Sequence, residues 1–195
     1  KKVISYSLWL QDFKLDPKNP KQNKNMYIQG VYKNLELKKK IYTDWVFRFY
    51  VNNTVPQEIK NKIIKMGGEI VDMNESKIPG MYWRFLAIED STVDLFIVRD
   101  VDSRISEREE LAVNDWIKSD KVMHVLRDHP HHYYKILGGM WGFKNYNESS
   151  ILNNKFKINF KQILEDFLKQ KNFNFKRMED MYFMDQIYNI FEQND

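Results

Sequence analysis

The chain has 195 residues, 43% of them hydrophobic and 15% aromatic, which is enough to bury one substantial core, so we expect a single domain. It contains no cysteine, which excludes disulfide bonds and thiolate chemistry, and neither a signal-peptide pattern nor an apolar run long enough to span a bilayer is visible in it. We therefore expect a cytoplasmic protein without a membrane span. The net charge of +4 allows an anionic small molecule, a nucleic acid or a membrane surface as partner and selects none of them.

The first half of the chain alternates between strand and helix patterns. Gly67 and Gly68 end one helix, and Pro56 suits the first turn of that same helix. The predicted elements are a strand over 2–10, a polar loop over 11–25, a helix over 26–42, a strand over 45–51, a helix over 56–66 and a strand over 69–73.

The second half continues the alternation. Ser106 and Glu109 form a capping-box pattern, and the helix that they open should turn Leu111, Ala112, Trp116 and Ile117 inward. The glycine-punctuated run over 136–143 indicates backbone that closely approaches another group. The predicted elements are a helix over 81–88, a strand over 93–98, a helix over 106–119, a strand over 122–126 and helices over 159–169 and 178–191. The order predicts an α/β fold with a mostly parallel sheet flanked by helices.

Two carboxylates, Asp100 and Asp102, follow the buried strand over 93–98 directly. Ligands of open α/β sheets bind outside the carboxyl ends of the strands, so this pair should face the functional site. Mg²⁺ and Mn²⁺ prefer oxygen ligands and often bind through one or two carboxylates together with substrate phosphates. The spacing alone also fits a solvated loop or acids that cap the next helix.

Seven segments, in order along nearly the whole chain, carry a family resemblance: SYSLW (5–9), FYV (49–51), MYWRFL (81–86), RDVDSR (99–104), RDHP (127–130), GGMWG (138–142) and DQ (185–186). Together they resemble the GT-A glycosyltransferases. The most similar type is compact, occurs in bacteria and large DNA viruses, and includes the rhamnosyltransferase domain of a chlorella virus. The resemblance implies one Rossmann-like GT-A domain over residues 1–195.

The resemblance also implies roles for individual residues. Asp100 and Asp102 match the DxD motif, which binds Mn²⁺ (or Mg²⁺) and through it the donor diphosphate. The glycine-rich segment would line the sugar pocket, with Trp141 stacking on a sugar ring. Arg84 would contact the donor or the acidic loop, with a surface salt bridge as the alternative, and Arg99 and Arg104 could balance the charge of the acids that they flank. For Trp9 and Trp141 core packing is the alternative role. The implied donor- and cofactor-binding residues are Ser7, Leu8, Trp9, Arg84, Asp100, Val101, Asp102, Gly138, Gly139, Met140 and Trp141.

Two further carboxylates are candidate catalytic residues. Asp128 follows a predicted strand and could bind sugar hydroxyls or act as general base on the acceptor, and the resemblance places Asp185 facing the transferred sugar. A solvent-exposed helix acid is the alternative for Asp185. The histidines at 129, 131 and 132 are spaced too tightly for the usual zinc sites. The family often supplies a third metal ligand after its last motif, commonly His; none follows Asp185, so water or residues outside this chain would complete the coordination.

The predicted function is metal-dependent transfer of a sugar from a nucleotide diphosphate donor, a UDP-sugar, to an acceptor hydroxyl on a glycan or glycoconjugate. The alternative is a metal-dependent nucleotidyltransferase or another nucleotide-binding phosphotransfer enzyme. A nucleic-acid-binding domain is disfavoured, because the lysines are spread over several helices and the loop over 11–25. That loop leaves the end of the first strand beside the acidic pair, and we expect it to close over the donor as a lid.

Overall fold

The computed structural model describes residues 1–10, 24–127, 129–130, 132, 134–145, 159–170 and 179–192, of which residues 170 and 191 are described by their backbone alone. Most of the predicted lid loop (residues 11–23), the candidate base Asp128 and His131 lie outside the described residues. Within them, strands and helices alternate as the sequence predicts.

One six-stranded sheet joins all the strands in the order β3-β2-β1-β4-β6-β5. Strands β1 to β4 are mutually parallel, whereas β6 runs antiparallel to both β4 and β5. The α/β architecture with a flanked sheet is thus confirmed, although the sheet is mixed at one side. The strands are β1 (Lys2–Leu8), β2 (Val46–Val51), β3 (Gly68–Asp72), β4 (Leu95–Val98), β5 (Met123–Val125) and β6 (Trp141–Lys144).

The helices agree with the predictions except at two places. The first helix ends at Leu37 rather than at residue 42, and the segment over 81–88 divides into one α-turn followed by a 3-10 helix. The helical elements are α1 (Lys24–Leu37), α2 (Gln57–Lys65), α3 (Gly80–Trp83), the 3-10 helix (Arg84–Glu89), α4 (Glu107–Lys118), α5 (Phe160–Gln170) and α6 (Glu179–Glu192).

Local sequence signals explain where several elements begin and end. The Ser106 side chain accepts a hydrogen bond from the Glu109 amide, and the Glu109 side chain accepts one from the Ser106 amide, so the predicted capping box opens α4. Gly67 ends α2 with a φ of +85°, a value that favours glycine. The predicted inner face of α4 is wrong for Leu111, which is 67% exposed, and confirmed for Trp116, which is buried; Val113 is buried as well.

The sheet separates two apolar cores. On one face, α1, α2 and α4 pack against side chains such as Tyr6, Phe49 and Ile97. On the other face, α3, the 3-10 helix, α5 and α6 pack against Phe96, Trp141 and their neighbours. This three-layer arrangement leaves the carboxyl ends of β1 and β4 side by side, because Ser5 lies opposite Val98 in the parallel register.

Strand β6 was not predicted as a strand. Its glycine lets it lie tightly against β4: a Cβ at position 142 would be 2.7 Å from the Ile97 Cγ2 atom and 2.8 Å from the Phe96 carbonyl oxygen. The close backbone approach that the glycines indicate is therefore confirmed. The same glycines lower the strand propensity, which explains why the sequence pattern did not reveal β6.

No helix among the described residues is long and apolar enough to cross a bilayer.

Candidate functional site

The acidic pair lies just beyond the carboxyl end of β4, as predicted. Val101, between the two acids, is buried and anchors the loop, while Asp100 and Asp102 are half-buried at its surface. The end of β1 lies alongside: Ser7 is 7% exposed and Leu8 is 1% exposed. Since the Leu8 side chain is inside the core, only its backbone is available for the predicted contact with a nucleotide.

A buried arginine joins the acidic loop to the last helix. The Arg84 guanidinium forms an ion pair with Asp100 through Nη1, and its Nη2 atom is 2.8 Å from the Asp180 Oδ2 atom. The Arg84 residue is 8% exposed, and so is Asp180. Burial alone would lower the pKa of Arg84, but the two carboxylates outweigh it, and the pKa is raised. Arg84 therefore stays charged and contacts the acidic loop, one of the two predicted roles; a contact with the donor stays a prediction.

The backbone of Arg84 is held by two serines of β1. The Ser5 hydroxyl donates a hydrogen bond of 2.6 Å to the Arg84 carbonyl, and the Arg84 amide donates one of 2.9 Å to the Ser7 hydroxyl. Alternating residues of a strand point to one face, which explains why both serines reach the 3-10 helix. Ser7 thus has a structural partner already, and its predicted contact with the nucleotide stays untested.

The two glycines before β6 pack directly on this ion-pair group. A Cβ at Gly138 would overlap the Asp180 carboxylate and come within 2.9 Å of the Arg84 Nη2 atom. A Cβ at Gly139 would overlap the Asp100 carboxylate, whose Cγ would be 2.6 Å away. The sequence predicts that these glycines allow a close approach; the groups that approach are the Asp180 carboxylate and Arg84 at Gly138 and the Asp100 carboxylate at Gly139.

Residues of α1 fix the shape of the acidic loop. The buried side chain of Asn34 donates hydrogen bonds to the carbonyls of Ser103 (2.8 Å) and Val101 (3.4 Å) and accepts one of 3.2 Å from the Ile105 amide. Gly30 is so close to the Val101 carbonyl that a Cβ there would overlap it. Sequence reasoning missed both residues; a glycine and an asparagine inside an amphipathic helix were the available signal.

Asp102 differs from Asp100 in its partners. Among the described residues no cation forms an ion pair with its carboxylate, and its pKa is raised, mainly by burial and then by the charge of Asp100. Two neighbouring carboxylates with oxygen donors suit a hard divalent cation, so the residues fit Mn²⁺ or Mg²⁺. In the described part of the chain no group of three or more His, Cys, Asp or Glu side chains could hold a metal ion.

The two arginines that flank the acidic pair in sequence do not pair with it. Arg99 is 2% exposed and points to the other side of the loop, where its Nε atom is 2.7 Å from the Glu109 Oε1 atom. Arg104 donates hydrogen bonds to backbone carbonyls, including a bond of 3.1 Å to Asp102. Arg84, rather than either flanking arginine, forms the ion pair with Asp100, while the charge of Arg104 acts to lower the pKa of Asp102.

The two tryptophans have different surroundings. Trp9 is half-buried; it packs on Gly80 and lies edge-on to Trp83 with the ring centroids 6.2 Å apart. Trp141 is 1% exposed, between Phe85 and Phe96 in the core, which favours core packing, its alternative role, over stacking on a sugar ring. Met140 is half-buried in the turn before β6 and is the member of this segment whose side chain has some exposure.

The last helix contributes more than the sequence predicted. Asp185 is half-buried, and its buried Oδ1 atom has no hydrogen-bond partner in the described part of the chain, which a solvent-exposed helix acid would not show. Asp180, which was not predicted, binds Arg84. The rings of His129 and His132 are 5.3 Å apart, but these histidines belong to no group of three candidate ligands among the described residues.

Comparison with protein-family models finds no match, and comparison with curated proteins finds none either.

Proposed function

We propose that the protein is a metal-dependent glycosyltransferase of the GT-A type, which moves a sugar from a nucleotide diphosphate donor to an acceptor hydroxyl on a glycan or glycoconjugate. The observation that carries the proposal is the pair Asp100 and Asp102 at the carboxyl end of β4, with Gly139 packed against it. This edge of a parallel sheet is where α/β proteins bind nucleotides, and the absence of a side chain at Gly139 gives the Asp100 carboxylate the space that it occupies there.

The chemistry follows from the charges at the site. A divalent cation on the two carboxylates would neutralise the charge that develops on the leaving diphosphate. Asp102 carries no protein counter-ion among the described residues, so it is the stronger candidate for direct ligation. Asp185 and Asp128 are the candidate catalytic acids; the unpartnered Oδ1 atom of Asp185 supports a role for this carboxylate toward a polar ligand.

Isothermal titration of UDP tests the cation site. We expect Mn²⁺ to strengthen UDP binding to the parent protein by at least about tenfold, which corresponds to one charge-assisted contact. In Asp102→Asn, Mn²⁺ should have little effect on the UDP affinity. Equal affinity with and without Mn²⁺, in both proteins, would contradict the role of the acidic pair.

UDP is proposed because it is the commonest donor nucleotide among the enzymes that the chain resembles. A thermal-shift panel of UDP, GDP, CDP, ADP and dTDP with Mn²⁺ tests the base, since a ligand that binds only the folded state raises the melting temperature. Stabilisation by GDP but not by UDP would show that the base is wrong and leave the acidic pair unaffected.

A metal-dependent nucleotidyltransferase or another phosphotransfer enzyme is the second candidate, because two carboxylates and a divalent cation would serve that chemistry as well. The products of a donor incubated with Mn²⁺ separate the two. Release of UDP and free sugar from UDP-sugars supports the glycosyltransferase, whereas release of UMP and sugar 1-phosphate from UDP-sugars, or of pyrophosphate from UTP, supports the alternative. A cytoplasmic location stays part of the proposal.

A further inference from the structure

Arg84 is shared by two carboxylates that come from distant parts of the chain and differ in accessibility. The Asp100 side chain is 44% exposed, whereas the Asp180 side chain is 11% exposed. Both contact the same guanidinium, Asp100 at Nη1 and Asp180 at Nη2. A cation from solvent can therefore compete for Asp100, while Asp180 stays enclosed with the arginine.

The burial of Arg84 makes the second carboxylate important. A buried guanidinium without any counter-ion is strongly unfavourable, because the protein interior does not replace its hydration. If Asp100 were the sole partner, a cation that binds Asp100 would leave Arg84 unpaired. The free energy of cation binding would then be reduced by the cost of burying an unpaired guanidinium. With Asp180 also in place, Arg84 keeps a counter-ion.

We infer that Asp180 is a positioning residue: by holding Arg84, it allows Asp100 to exchange the arginine for a divalent cation and thereby sets the cation affinity of the acidic loop. The inference rests on the proposed cation site and goes beyond it, since it assigns that control to a residue of α6, 80 positions along the chain from Asp100.

The inference predicts opposite effects for the two partners. Asp180→Asn should weaken Mn²⁺ binding, because Arg84 then depends on Asp100 alone. Arg84→Gln should strengthen it, because Asp100 no longer has a competing cation. Each change in Kd should be about fivefold or more, the lower end of the range for coupling between sites. The measurement is titration of Mn²⁺ without nucleotide, so it does not depend on catalysis.

A simple effect of charge through space would give the same two signs, and a double-mutant cycle separates the explanations. If Asp180 acts through Arg84, Asp180→Asn should change the Kd by less than about twofold in the Arg84→Gln background. An equal effect of Asp180→Asn in both backgrounds would overturn the inference. The double variant removes both members of a buried pair, so it should fold even if one of the single variants does not. We expect the double variant to bind Mn²⁺ more tightly than the parent. Weaker binding than in the parent would count against the inference.

Glu109→Gln is the matched control, since it removes a carboxylate from another buried arginine, Arg99, whose contacts lie away from the acids. We expect Glu109→Gln to lower the free energy of unfolding without changing the Mn²⁺ affinity. If Glu109→Gln lost as much Mn²⁺ affinity as Asp180→Asn, general destabilisation would explain both effects and the inference would be overturned. The proposed function is judged separately, by sugar transfer. If the parent protein binds Mn²⁺ but transfers no sugar, the proposed function is rejected, and the double-mutant cycle still tests the role of Asp180.

Discussion

Gly139 lies against Asp100 so closely that no side chain fits between them: a Cβ at position 139 would overlap the Asp100 carboxylate and lie 2.6 Å from its Cγ atom. The contact joins two segments that are 39 positions apart in the sequence, the turn before β6 and the loop after β4. The position of the Asp100 carboxylate therefore depends on the absence of a side chain at position 139.

Gly139→Ala should therefore disturb the acidic pair directly. The added methyl group would displace the Asp100 carboxylate from its place beside Asp102, and we expect Mn²⁺-dependent UDP affinity to fall by at least about tenfold together with about 1–3 kcal/mol of stability. Calorimetric titration and urea unfolding measure the two effects. Gly67→Ala is the control, because Gly67 has a φ of +85° and an added Cβ atom there would meet no neighbour within 4 Å, so it should lose stability through strain alone. Unchanged UDP affinity in Gly139→Ala would contradict the structure of the site.

Asn34→Leu tests whether α1 holds the acidic loop. The substitution keeps the side-chain volume but removes two donated hydrogen bonds and one accepted hydrogen bond, leaving backbone groups of the loop unpaired. We expect a loss of about 2–4 kcal/mol of stability and weaker Mn²⁺-dependent UDP binding. Asn145→Leu is matched to it, since the buried Asn145 amide donates to the Ile88 carbonyl, away from the acids. A variant that loses stability like Asn145→Leu but binds UDP like the parent would show that the loop keeps its shape without Asn34.

The sequence predicts the acidic pair well because both of its signals are local. Four consecutive apolar residues form β4, and charge follows at once, so strand and loop are visible in ten positions. The capping box of α4 is local too, as is Gly67 at the end of α2. By contrast, the pair Arg84–Asp180 spans 96 positions, and no spacing rule connects its members. The side chains around the acids are therefore set by tertiary packing, which a single sequence does not display.

Helix α4 and strand β6 show two other ways in which a pattern misleads. Leu111 is apolar but lies on the outer face of α4, because the capping box fixes the start of the helix and Val113 and Trp116 face the sheet. In β6 the residues that allow close packing are glycines, which disfavour strands by themselves. Contact with β4 and β5 compensates for that low propensity, and such contacts are not written in the local sequence.

Trp141→Phe tests whether Trp141 packs in the core or stacks on a sugar ring. Trp141 is 1% exposed, and its indole N–H is buried without a hydrogen-bond partner among the described residues, so we expect its contribution to be packing against Phe85 and Phe96. We expect a loss of about 1–3 kcal/mol of stability and an unchanged Kd for the UDP-sugar that the parent uses. The measurements are urea unfolding and calorimetric titration with that sugar nucleotide. If the variant has parental stability but a larger Kd for that sugar nucleotide, Trp141 would be assigned to the sugar pocket.

The last prediction concerns stability at acidic pH and involves His124, on β5. Burial, and then the nearby charge of Arg99, lowers the pKa of His124 to about 4. The ring stacks on Trp116, and its Nε2 atom has no hydrogen-bond partner among the described residues. The unfolded chain binds the proton near pH 6.5 and the folded chain only near pH 4, so the stability that His124 contributes is full above pH 6.5 and is lost as the pH falls through this window.

The side chain is partly solvated, which reduces the linked free energy to about 1–2 kcal/mol. His124→Phe keeps a ring on Trp116 and cannot bind a proton, so its free energy of unfolding should fall less than that of the parent between about pH 7.5 and about pH 4.5. Urea unfolding at both pH values gives the difference, and His129→Phe, at an exposed position, is the control that should behave like the parent. Parallel pH dependence of His124→Phe and the parent would show that His124 is not held neutral by the fold.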